Sequence, residues 1–299
     1  MDLKEESLAL SSGISVAGTA ITEFYRRHSE GDLYELFDLF KGKILLSMIK
    51  PNKYTALHHF LAFHQRVMVY VDDIRRVAEH PIEIFVFIER TLKEANLTPN
   101  LPVPILKECR GYEHDVKWWD FECDCSKALK DWVKHIDKHR DYIDKLIVHS
   151  AFQTLFQDRQ FLHDFHSQLA NWTEENINYI GHTYGDYLVS KKRFRRQHFP
   201  VWLKQAIFYR DKGTCVLCRT DLSRLVRTIN KIHIDHIVPL DSYGSNDASN
   251  MQLLCSTCNT SKGARSTKTS KMNAPFWNLD IQLEKNNTSW SELAWSWLE

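Results

Sequence analysis

From about residue 15 to 188, apolar side chains recur at intervals of three and four, the spacing that lines one face of an α-helix. The stretches "TALHHFLAFHQRVMVYVDDIRRVAEH", "IEIFVFIERTLKEAN" and "LKDWVKHIDKHRDYIDKLIVHSAF" show it most clearly, with charges on the opposite face. Pro51, His80-Pro81 and the proline-rich "LTPNLPVP" at 97–104 interrupt the pattern and predict helix boundaries and a loop. A different rhythm begins at 231. "KIHIDHIVPL" reads as a short strand ended by Pro239, "DSYGSNDASN" as turns, "MQLLC" as a second strand and "STCNTSKGAR" as a short helix. Beyond Met272, Ser289 and Glu292 form a capping box for one more helix, in a segment rich in Trp277, Trp290, Trp295 and Trp297. The predicted class is α+β, mostly α. Residues 1–188 form a helical domain, 189–272 a small ββα unit, and 273–299 a tryptophan-rich segment that docks back on the rest.

Charge sharpens this division. The chain carries a net +1, yet residues 189–272 hold 16 Lys/Arg against 5 Asp and no Glu, leaving 23 basic against 33 acidic residues on the remainder. Such asymmetry predicts that the small unit meets a polyanion and that the acidic helical region does not. At the junction, Lys191, Lys192, Arg193, Arg195 and Arg196 alternate with Phe194, Phe199 and Trp202. This run reads either as phosphate contacts with rings that stack or pack, or as a solvated helix end. No apolar run is long enough for a membrane span and the first residues are acidic, so the expected location is cytoplasmic.

Seven cysteines make an incomplete disulfide framework. Four fall in two Cys-x-x-Cys pairs inside the basic unit, Cys215/Cys218 and Cys255/Cys258, with 36 residues between the pairs. Four thiolates suit a closed tetrahedral zinc that would tie together the ends of a folded insert, with disulfides as the alternative. Cys109 reads as a small core residue, and Cys123 and Cys125 in "FECDCSK" lack the second pair a metal site needs. His135 and His139 stand four apart but are flanked by Lys138 and Arg140, so a solvated helix face is expected there. Within the insert, Asp235, His236, Asn250, Asn259 and Lys262 are the polar residues at the strand and helix. His233 shares Asp235's side of an alternating strand, and either approaches a metal there or is a hydrogen-bonded strand histidine.

Taken together, "FYRDKGTC", "CVLC", "DHIVP", "YGSNDASN" and "NMQLLCSTCNTSK" resemble the zinc-bound HNH endonuclease family over roughly residues 200–268. The resemblance implies a ββα-metal fold in which His236 is the general base and Asp235 and Asn259 hold a catalytic divalent cation, magnesium or manganese. It implies further that Asn250 braces the loop and orients the base, and that Cys215, Cys218, Cys255 and Cys258 hold structural zinc. A neutral imidazole activating an in-line water beside an oxygen-bound cation is sound chemistry for phosphodiester hydrolysis. Lys262 and Arg265 read as contacts to flanking phosphates or as solvated helix charges. The expected activity is hydrolysis of DNA, most naturally double-stranded. The helical domain would sense, regulate, or bind a protein partner or second copy, in a bacterial restriction or anti-phage setting. A catalytically inactive nucleic-acid-binding protein and a mobile-element nuclease are the alternatives.

Overall fold

A computed structural model of the chain describes residues 10–65, 81–105, 123–190, 192–223 and 232–270. Helices follow the apolar intervals: α1 (Leu10–Glu30), α2 (Leu33–Leu39), α3 (Lys41–Ile49), α4 (Ala56–His64), α5 (Pro81–Glu94), α6 (Asp124–Lys138), α7 (Arg140–Phe156), α8 (Arg159–Glu175) and α9 (Ile177–Tyr184). A two-residue hairpin, β1 (Leu188–Val189) with β2 (Arg193–Phe194), leads to α10 (Val201–Arg210). The ββα unit follows as β3 (Ile232–His236), β4 (Met251–Cys255) and α11 (Ser256–Lys262). The class is therefore the predicted one, a mostly helical chain with small antiparallel sheets. Among the described residues no helix is long and apolar enough to cross a membrane. The expectations for Cys109, Lys191, the helical pattern at 66–80 and the segment 273–299 with its four tryptophans lie outside the described residues.

Aromatic side chains set the helical packing. Phe24 of α1 meets Phe161 of α8 edge to face at 5.3 Å, Phe60 of α4 meets Phe165 of α8 at 5.5 Å, and Phe37 of α2 meets Trp172 at 6.4 Å. Edge-to-face pairs suit the ring quadrupoles and add to the gain from area burial. Gly13 lets α1 cross α7 closely, since a Cβ there would stand 2.6 Å from the Ser150 Cβ. A second apolar cluster joins Ile84, Ile88 and Leu92 of α5 to Trp132 and Ile136 of α6 and to Ile143 at the start of α7.

The main core does not stop at the helices. Phe194, Phe199, Leu203, Ile207, Ile237, Val238, Met251, Leu253 and Leu254 belong to the same buried cluster as Phe24 and Phe165. The β3–β4 connection is drawn into this contact. Its turn-rich composition ordinarily marks a solvent-facing loop, yet Ser245, Asn246, Asp247, Ala248, Ser249 and Asn250 are all buried. Gly244 permits the tight return, because a Cβ there would lie 2.0 Å from the Val238 carbonyl oxygen.

Buried polar groups must find partners, and here they find them on the helices. The Asp247 carboxylate accepts the Ala56 N–H at 2.7 Å, so the loop helps cap the first turn of α4. Its other oxygen accepts the Ser249 N–H and hydroxyl. Ser249 Oγ is also 2.9 Å from Nε2 of His166 on α8. This buried Ser–His–Asp group runs opposite to a nucleophilic triad: the hydroxyl proton goes to the carboxylate, and the group is sealed from solvent. The Asn246 N–H donates to the Met48 carbonyl at the end of α3. Elsewhere Thr55 caps α4 through a box completed by His58, which accepts the Thr55 N–H at Nδ1.

Burial, the largest cause, pushes the His58 and His166 imidazoles down to about 3 from an ordinary value of 6.5. Between those two values protons bind the unfolded chain and not the folded one. Stability contributed by both histidines is therefore full above about pH 6.5 and falls as pH drops through that window, by at most about 1.4 kcal/mol per pH unit for each. Urea unfolding at pH 7.5 and 5.5 should show the protein weaker at 5.5, with a shallower pH dependence in His166→Gln. Equal midpoints at the two pH values would contradict the burial of neutral imidazoles.

Candidate active site

The first cysteine pair is positioned by the turn that precedes it. Arg210 and Asp211 end α10 as a buried pair joined by two hydrogen bonds of 2.9 Å. Asp211 also accepts from Arg159 of α8 at 3.2 Å and from the Leu253 N–H of β4 at 2.9 Å. This one carboxylate thus links a helix of the N-terminal region, the approach to the cysteine pair, and the second strand. Lys212, Gly213 and Arg219 take positive φ angles of 56°, 61° and 64°, wrapping the backbone around Cys215 and Cys218. The knuckle is tied to the sheet by the Val216 N–H on the Leu253 carbonyl.

The second pair arises where β4 becomes α11. Cys255 is the N-cap of α11, and its sulfur accepts the Cys258 N–H at 3.4 Å. All four sulfurs lie within 4.8 Å of one another, with Cys218 and Cys255 Sγ 3.7 Å apart. A tetrahedral thiolate site with metal–sulfur bonds of about 2.3 Å has edges of about 3.8 Å, so the cluster fits a structural zinc. Burial would raise the Cys218 thiol, but bonds from Thr220 and the neighbouring cysteines outweigh it and bring it down to about 6. Among the described residues this is the one group of three or more side chains able to share a metal ion.

Strands β3 and β4 pair antiparallel, with His233 opposite Leu254, Asp235 opposite Gln252 and His236 opposite Met251. His236 is the last strand residue, so the strand ends where Asp235 and His236 stand side by side. Asp235 looks toward α11, where Lys262 Nζ lies 2.9 Å from its Oδ2. That ammonium is aligned with the His236 carbonyl oxygen, to which it donates at 2.9 Å, and leaves Oδ2 without a properly directed hydrogen bond. Asn259 is half-buried one helical turn before Lys262, hence on the same side of α11. One carboxylate and one amide oxygen are hard donors that fit a small divalent cation while leaving positions for water and phosphate.

His236 turns the other way. Its ring meets Phe199 at 5.5 Å, the residue is 3% exposed, and Nε2 is buried with no hydrogen-bond partner. Burial, then the nearby Arg196 guanidinium, hold the imidazole down to about 4, against the smaller opposing pull of Asp235. The ring is neutral at physiological pH, the state a proton acceptor needs. Asn250 is fully buried and spends its side chain on the loop: Oδ1 accepts the Val238 N–H, and Nδ2 donates to the Val238 and Ser245 carbonyls.

The basic residues divide. Lys192, Arg195, Arg196 and Arg265 are exposed. Arg193 is half-buried, paired with Asp241 at 3.0 Å and stacked over Tyr243. Arg196 lies over Phe199 and reaches the Ile234 carbonyl, which sets it beside β3. Lys262 departs from the expected phosphate contact, since its side chain is buried and its charge faces Asp235. His233 bonds the Ser256 hydroxyl at 3.1 Å, joining β3 to α11. Cys123 and Cys125 sulfurs sit 3.0 Å apart at the start of α6, and His135 bonds the Leu97 carbonyl. Sequence reasoning missed Arg159, His166 and Asn246, whose partners lie far away along the chain and leave no local spacing to read.

Residues 215–265 match the family model described as HNH endonuclease. No curated protein and no solved structure matches the chain.

Replacing Cys215 or Cys258 by Ser removes one corner of the cluster. The variant should lose its bound metal by elemental analysis and more than about 4 kcal/mol of stability, the scale reserved for losses such as a structural metal. A variant that melts with the parent would show that the thiolates hold nothing structural.

Proposed function

We propose that the protein, through the HNH endonuclease domain matched at residues 215–265, hydrolyses DNA phosphodiester bonds, using His236 as general base and zinc as the structural ion on the four cysteines. The observation that carries this reading is the end of β3. There an unpartnered, buried imidazole nitrogen and a carboxylate occupy neighbouring positions above a helix that bears Asn259.

His236 Nε2 takes the proton of the attacking water. Asp235 and Asn259 would hold the catalytic divalent cation, magnesium or manganese, which would supply neutralisation of charge on the phosphate and leaving oxygen. Lys262 balances Asp235 and fastens the strand end to α11. Asn250 keeps the backbone after His236 in place through both polar groups of Val238. A base near 4 is weak, and the negative phosphate arriving beside it raises its affinity for a proton. His236 is 3% exposed and packs against Phe199, so the attack requires the structure around the ring to open to DNA. The exposed Arg195, Arg196, Lys192 and Arg265 supply phosphate contacts, with Arg196 beside β3. Retention of Asp235, His236, Asn250 and Asn259 together favours catalysis over a binding-only protein.

We place the domain boundary near 188 and assign the acidic helical region a controlling role, in a restriction or anti-phage setting. Supercoiled plasmid incubated with the purified protein and magnesium or manganese should be nicked or linearised. His236→Ala should lower the rate by about 100-fold or more in a protein that still folds and keeps its metal, with the melting temperature somewhat lower because the buried ring leaves a cavity. Equal cutting by His236→Ala would remove His236 as the base.

A further inference from the structure

Between α7 of the helical region and α10 of the basic unit lies a cleft of about 550 Å³. Small-molecule sites have this size and form at such boundaries. Phe152 and Phe156 come from α7, Trp202 and Tyr209 from α10, and Ala248 of the buried loop adds to the lining. On each helix the lining positions repeat at threes and fours, so each presents one continuous face to the space. Tyr209 is 76% exposed, which leaves its ring open to a ligand arriving from solvent. Among the described residues no acidic side chain lines the cleft.

Its rings are already aligned for stacking. Phe152 stacks on His58 with centroids 3.9 Å apart and on Phe156 at 5.0 Å, with interplanar angles of 24° and 23°. The Arg210 guanidinium lies over Phe156, Cζ 4.7 Å from the centroid. Flat, sequence-neutral faces of this kind take up planar heterocycles.

The polar groups are donors. His58 accepts the Thr55 N–H at Nδ1, so the hydrogen of the neutral ring sits on Nε2, 3.4 Å from Nδ1 of His149. His149 then accepts at Nδ1 and carries its own hydrogen on Nε2, which stands 3.3 Å from Gln153 Nε2. Two N–H donors side by side are suited to one acceptor oxygen. Arg210 bonds Asp211 through Nε and Nη2 and the Met251 carbonyl through Nη2, while Nη1 is buried with no hydrogen-bond partner. Lys53 adds an exposed ammonium. Stacking faces, clustered donors, positive charge and no carboxylate together match a planar, acceptor-rich anion.

We propose that this cleft binds a mononucleotide, its base stacked on the aromatic walls, its oxygens on the His149 and Gln153 donors, and its phosphate toward Lys53. The site uses none of the residues assigned to hydrolysis. A nucleotide in it touches α7, α10 and the buried loop at once, so occupancy ties the helical region to the basic unit.

Isothermal titration calorimetry on the full chain at pH 7.5, without DNA, tests this with the four 5′-ribonucleoside monophosphates, the matching nucleosides and inorganic phosphate. At least one nucleotide should bind with a Kd of about 100 μM or tighter, its nucleoside more weakly and inorganic phosphate most weakly. Ala206→Phe fills the cleft and removes no side-chain hydrogen bond, and should weaken that nucleotide by about tenfold or more. Tyr209→Ala, at an exposed position where folding is secure, should weaken it by about fivefold or more through lost stacking. Arg196→Ala, on the basic segment, should leave the Kd near that of the parent. The proposal fails if none of the four nucleotides binds, or if inorganic phosphate binds as tightly as the nucleotide. It fails equally if Arg196→Ala weakens binding while Ala206→Phe and Tyr209→Ala do not, since the ligand then sits on the basic surface. Binding is read without cleavage, so a protein that cuts no DNA leaves the test intact.

Discussion

A run of polar residues, Ser245 to Asn250, is buried between two parts of the chain, and each polar group in it must be satisfied there. Leaving one such group unpaired costs about 1–3 kcal/mol, so the loop is stable only when both sides are present. One side is the ββα unit, where Asn250 bonds both backbone groups of Val238. The other is the helical region, where Met48, Ile49, Ala56 and His166 take up Asn246, Asp247 and Ser249. Asn250 holds the Val238 backbone two residues after His236, so the anchorage of the loop reaches the end of β3.

Two further ties act on the same unit. The four-sulfur cluster joins the knuckle after α10 to the start of α11, holding the helix against the strand that carries Asp235. Asp211 ties that knuckle to Arg159 and to β4 from the opposite side. Together they give a small sheet of two five-residue strands an environment that such a hairpin lacks alone. The frame fixes placement: it holds Asp235 against Lys262 of α11 and His236 against Phe199 at the end of one strand.

Much of this was legible in the sequence. Intervals of three and four marked the helices, and Pro239 marked the end of β3, whose last residue is His236. The paired Cys-x-x-Cys spacing announced the sulfur cluster, and the alternation around Asp235 and His236 announced the strand. What spacing cannot carry is partnership at a distance. Asp247 and Ala56 are 191 residues apart, and nothing near His166 marks it as a partner of Ser249. Lys262 misled for a related reason: a lysine on a short basic helix reads as a surface charge, and only the approach of β3 makes it a buried counter-ion for Asp235. The loop's composition announced turns and said nothing of burial, since turn-forming residues lie at the surface unless another part of the chain supplies partners.

The most direct measurement of this account is native-state hydrogen exchange of the amides of Val238, Asn246, Ser249 and Asn250 in the full chain, compared with amides in the middle of α8. A loop clamped from both sides opens only when the structure around it opens, so these amides should exchange as slowly as those of the core helix. Exchange at the fast rates of an exposed surface loop would contradict the clamp and, with it, the anchorage of the end of β3 on the helices.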